Sequence, residues 1–206
     1  MKKITKPKNT SGRGQRDLKV KVKSARGKTV SQVKWLQRQL NDPYVKRAQL
    51  EGFRGRAAFK ILELNEKYNF LTPGSKVIDL GCAPGGWSQV ALEINPVIEI
   101  TAIDILDLKI NHPQINFYKD DFLNFDYAKK ENYYDLILSD IAPNTTGHQS
   151  TDHLRIATML FDIIELLDKV LITDGSFITK IWKGSEAVSY THLRAHETRE
   201  DLVCRL

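Results

Sequence analysis

Apolar positions along this chain recur in two rhythms. Short continuous apolar runs bounded by turn residues predict strands at 76–80, 98–104, 114–118, 134–139 and 176–182. Helical spacing marks other stretches. Val33, Trp35, Leu36 and Leu40 predict a short helix that Ser31 caps and that stops before Pro43. Ala57, Ile61, Leu64 and Tyr68 predict a helix over 56–68, and two more fall at 85–94 and 151–172. The last carries Ile156, Leu160, Ile163, Leu167 and Val170 on one face. Strands separated by helical stretches imply right-handed βαβ units, hence an α/β fold with one mostly parallel sheet.

Composition adds a polarity to this plan. Of the 206 residues, the first thirty hold eleven Lys or Arg and one acid, and few apolar side chains. Such a segment cannot bury enough surface to fold alone and is expected to be a disordered leader. Residues 31–60 add a net +5, whereas the whole chain is only +6, so the remainder is acidic. A basic block on an acidic body is the footprint of a phosphate-backbone binder. Cys82 and Cys204 are the only cysteines, which argues against a disulfide framework or a zinc site. No apolar run reaches membrane-spanning length and none has the form of a secretory signal, so a cytoplasmic protein is expected.

Chemistry gathers where the strands end. Asp79 closes the first strand and precedes Gly81, Pro84, Gly85 and Gly86, a loop that lets backbone approach a ligand closely. This is not the dinucleotide fingerprint G-x-G-x-x-G. Asp104 after the second strand suits the hydroxyls of a ribose, and Asp120-Asp121 follow the third. Together they suggest an adenosine-containing ligand, with its tail at the glycine loop, ribose at Asp104 and base near Asp121. Asp140 ends the fourth strand and Lys180 lies at the end of the fifth, inside the apolar run F-I-T-K-I-W. A lysine there is unusual, because an unpaired buried ammonium is costly. Lys60 follows Arg56, Ala57, Ala58 and Phe59 on a helix.

The segments R-A-A-F-K (56–60), D-L-G-C-A-P-G-G-W-S-Q (79–89), S-D-I-A-P-N (139–144) and F-I-T-K (177–180) resemble, in order and spacing, the FtsJ/RrmJ (RlmE) ribose 2′-O-methyltransferases. The resemblance covers about 31–186. It implies a Rossmann-like class I methyltransferase fold with helices on both faces of the sheet, and S-adenosylmethionine as cofactor without a metal. It implies cofactor contacts at Gly85, Trp87, Asp104, Asp121 and Asp140, and a catalytic group of Lys60, Asp140 and Lys180 with Lys180 as proton acceptor. The substrate implied is a uridine ribose in 23S rRNA within the large ribosomal subunit, and the expected state is a monomer. The reading of another class is a non-catalytic RNA-binding or ribosome-assembly module that retains the fold.

After Glu186 the resemblance stops. Residues 188–206 show no apolar periodicity that completes a sheet, so the C-terminal strands of the family, and the Glu carried by the last of them, are expected to be missing. The expected organisation is a leader (1–30), an incomplete methyltransferase domain (31–187) and a non-family tail (188–206).

Overall fold

The structure is a computed structural model that describes residues 21–22, 26–141, 146, 148–180, 196–197 and 201–205. Most of the basic leader, Ala142–Asn144 of the S-D-I-A-P-N segment, Trp182 and Glu186 lie outside the described residues. The chain forms two compact units, Met1–Lys46 and Arg47–Leu206.

The first unit contains helix α1 (Val30–Asn41). Its cap is Thr29 rather than Ser31. The Thr29 side chain accepts from the Gln32 N–H at 3.2 Å while the Gln32 side chain accepts from the Thr29 N–H at 2.9 Å. This reciprocal arrangement satisfies two helix-end donors, which the Ser31 position would leave open. Pro43 ends α1 as expected, but it also begins α2 (Pro43–Glu51), a helix the apolar spacing does not announce. Asp42 Oδ1 accepts from the Tyr44 N–H at 2.9 Å, and proline lacks the N–H that a first helical residue would leave unsatisfied.

The second unit is built on a sheet of order β3-β2-β1-β4-β5-β7-β6. The strands are β1 (Lys76–Leu80), β2 (Glu99–Ile103), β3 (Ile115–Tyr118), β4 (Tyr134–Ser139), β5 (Leu171–Lys180), β6 (His196–Glu197) and β7 (Asp201–Arg205). The first five are mutually parallel. Alternation along each strand assigns the faces. Val77, Ile100, Leu136 and Leu138 pack with α3 (Ala58–Tyr68) and α4 (Gly86–Ile94). Ile78, Leu80, Ile137 and Phe177 pack under α5 (Gln149–Val170). No described helix is long and apolar enough to cross a membrane.

Two expectations need correction. β5 starts at Leu171, not at 176, because Asp174-Gly175 interrupts the strand without ending it. Asp174 takes φ +63, and the pairing with β4 shifts register between Tyr134 and Leu136. A turn-like dipeptide inside a strand is the mark of a bulge. The tail does supply strands. β7 runs antiparallel to β5, from Ser176↔Arg205 to Lys180↔Asp201, and β6 pairs with β7. The exposed N–H and C=O row of β5 needs backbone partners, and pairing demands little of the side chains that supply them.

Candidate active site at the carboxyl ends of the strands

β1 and β4 are neighbours, yet β1 leads to α4 on one face of the sheet and β4 to α5 on the other. A crevice opens at such a switch point, outside the carboxyl ends of the strands. The loop after β1 forms one wall. Gly81 has φ +72, and a Cβ there would lie 2.6 Å from Ile141 Cγ1 and 3.1 Å from the Ile141 backbone. Gly85 has φ +111, with Ile110 Cγ1 only 2.3 Å from where its Cβ would be. Only glycine meets both demands. Gly85 also precedes α4 without any side-chain cap, so the amides of Gly86 and Trp87 receive no capping side chain from it.

Asp104 braces this loop. Its Oδ2 accepts from the Ala83 N–H at 2.8 Å and its Oδ1 from the Leu106 N–H at 2.8 Å. Each carboxylate oxygen retains a further lone pair, so the ribose role expected for Asp104 stays chemically open. Asp121 sits in the turn after β3, where its Oδ1 accepts from the Leu123 N–H at 3.1 Å. Trp87 is buried on α4 and its Nε1 donates to Ala57 O at 3.1 Å.

Asp140 and Lys180 meet as an ion pair across the ends of β4 and β5, both partly shielded from solvent. The Asp140 N–H donates to Leu80 O at 3.2 Å, which ties this acid to the start of the glycine loop. A small cavity lined by Ser139, Ile141, Ile156, Met159, Leu160, Ile163, Thr179 and Lys180 lies beside the pair. Its mostly apolar lining limits water on that flank of the lysine. Lys60 lies in the first turn of α3 and is half-buried.

Two participants, Gln89 and Ser88, escaped the sequence reading. Gln89 accepts from the Arg54 N–H at 3.0 Å and donates to Gly52 O at 3.0 Å. With Trp87 it clamps α4 to the 52–57 segment that leads into the Lys60 helix. Ser88 donates to Asp79 Oδ2 at 2.5 Å, and Asp79, the acid that closes β1, is a core residue. Burial pushes Asp79 up to about 7, with the charge of Asp104 adding to the effect and the Ser88 hydrogen bonds opposing it. Cys82 is also held up, first by burial and then by Asp79 and Asp104, so its sulfur stays a thiol and is a poor nucleophile.

Comparison with known proteins gives this geometry a family. A profile of the FtsJ-like methyltransferases matches residues 53–202. Ribosomal RNA large subunit methyltransferase E of Ruegeria pomeroyi is 51% identical over 193 residues, covering 86% of this chain and 82% of that protein. The protein of the same name from Rickettsia bellii is 42% identical over 181 residues, covering 83% and 80%. The crystal structure of a Plasmodium falciparum protein assigned as a ribosomal RNA methyltransferase superposes with a TM-score of 0.68 at 29% identity, covering 74% of this chain and 97% of that one. Fold and crevice together define a Rossmann-like methyltransferase. The chain belongs to the FtsJ-like methyltransferase family, and membership implies the use of S-adenosylmethionine. The residues fit that ligand on their own terms: two glycines where a Cβ would collide, an uncapped helix start and an orphaned carboxylate oxygen beneath the loop.

Proposed function

We propose that this protein methylates a ribose 2′-hydroxyl, that of a uridine in 23S rRNA of the large ribosomal subunit, acting as a monomer in the cytoplasm. The observation that carries this reading is the Asp140–Lys180 ion pair at the crevice beside the glycine loop. The names of the relatives support the substrate class. Gly85, Trp87, Asp104, Asp121 and Asp140 would hold S-adenosylmethionine, which supplies an electrophilic methyl on a sulfonium.

The chain's own part is to position a hydroxyl and remove its proton. In-line displacement from a sulfonium needs little else, so alignment contributes much of the rate. A ribose hydroxyl is a weak nucleophile, and Lys180 Nζ accepts its proton once the amine is neutral. Asp140 orients Nζ and, while paired, keeps it charged. A cation entering beside Asp140 weakens that hold, and Lys60, as a second cation, opposes protonation of Lys180. The basic segments at 1–30 and 31–60 supply phosphate contacts to the RNA.

The test uses Lys180→Met. On large ribosomal subunits lacking the modification, methyl transfer should fall at least about a hundredfold, the usual scale for a lost general base. Cofactor affinity should stay within about threefold, a change under 1 kcal/mol. Near-normal turnover would remove Lys180 from the role of base.

A further inference from the structure

The acid at the end of β1 is placed where an ionised carboxylate is hard to keep. Asp79 is 1% exposed. Its Oδ2 accepts from Ser88 Oγ, while Oδ1 has no partner. The neighbours in register are Ala102 of β2 and Leu138 of β4, both apolar. From α4 it meets the neutral hydroxyl and the backbone N–H of Ser88, which both favour the ionised form; from the loop above, the Cys82 thiol; from the end of β2, Asp104, a charge of the same sign. Among the described residues no cation pairs with it. An ionised carboxylate offers about four acceptor sites, and leaving those of Oδ1 empty in the core costs more than keeping a proton.

We propose that Asp79 is a positioning residue for the cofactor and works as a proton exchanger: it carries a proton while the crevice is free and releases it to solvent when the cationic cofactor binds above the glycine loop. This rests on the reading of the site under Proposed function. In the exchange the O–H bond of Asp79 breaks, the electron pair stays on the carboxylate and the proton passes to buffer. S-adenosylmethionine carries an ammonium and a sulfonium, so a negative Asp79 beneath the loop favours it where a neutral one does not. Asp79 reaches the loop through Ser88, on the first turn of α4, and through the Gly81–Gly85 backbone that follows it directly.

The sign of the linkage follows. With the free-state value near 7, binding below neutrality must first expel the proton. The dissociation constant should rise about tenfold per pH unit below 7 and level off above about 8. The number of protons released per cofactor bound should be about 0.9 at pH 6, about 0.5 at pH 7 and about 0.1 at pH 8.

Isothermal titration of the full chain with S-adenosylmethionine, in pairs of buffers that differ in ionisation enthalpy, measures both quantities. Asp79→Asn should bind with a pH-independent constant and release no proton over this range. Ser88→Ala keeps the acid but removes its hydrogen bond, and should move the midpoint of the wild-type profile upward by about half a unit or more. Wild-type binding that is flat from pH 6 to pH 8 would overturn the proposal, as would proton release that survives in Asp79→Asn. A wild-type chain that binds no cofactor at any pH would instead overturn the proposed function.

Discussion

Asp79→Asn should change how the stability of the fold depends on pH, with no ligand present. In the unfolded chain the carboxyl titrates near 3.8, and in the fold near 7. Between these values the folded protein holds a proton that the unfolded chain has lost, so rising pH favours unfolding. The contribution of Asp79 is complete below about pH 4, falls as pH rises toward 7 and then levels off. At about 1.4 kcal/mol per unit, the separation corresponds to about 4 kcal/mol, of which about 3 kcal/mol fall between pH 5 and pH 8. Asn cannot titrate and contributes no such slope. Its extra N–H donors inherit the orphaned position of Oδ1 and cost about 1–3 kcal/mol at every pH. The expected result is a variant that is less stable than wild type at pH 5 and closes or reverses the gap by pH 8. Urea unfolding followed by tryptophan fluorescence and far-UV circular dichroism at four pH values measures it. Other titrating groups cancel in the comparison. Two profiles that run parallel within about 0.5 kcal/mol would show that Asp79 is ionised throughout, and the proton-exchange reasoning would fail.

Gly85→Ala places a methyl at φ +111 against Ile110 and should weaken S-adenosylmethionine binding by more than about tenfold, read by titration, because either the loop or the Ile110 segment must move. Gln89→Ala removes the two hydrogen bonds that Gln89 makes to Gly52 and Arg54 in the 52–57 segment and leaves that of Trp87 to Ala57. It should cost about 1–2 kcal/mol of stability in urea unfolding and slow methyl transfer more than it weakens cofactor binding, since that segment leads to Lys60.

The local pattern was enough to place four of the five parallel strands within a residue of their observed ends, because buried strands must be apolar and turns must not. It also marked Asp140 and Lys180 as chemistry, since a lysine in an apolar run demands a partner. Where the partner sits is a different matter: β4 and β5 meet only because the sheet places them side by side, forty residues apart in sequence. The start of α2 at Pro43, the bulge at Asp174-Gly175 and the pairing of β7 with β5 were all misread for one reason. A proline, an Asp-Gly pair or a polar tail has several uses, and neighbouring backbone selects among them. The glycines at 81 and 85 announced a close approach, but Ile141 and Ile110, which make larger residues impossible there, come from distant segments.

The sequence by itself therefore determined most of the elements, the family and which residues are candidates for the crevice. Tertiary structure alone decided their states. Asp79 and Asp104 are both acids after apolar runs in the chain. One is sealed beneath α4 with only Ser88 to hydrogen-bond it, and the other is fixed by two backbone amides at the rim. Protonation follows from desolvation and from the partners on hand, and neither exists until the sheet and its helices have closed around the side chain.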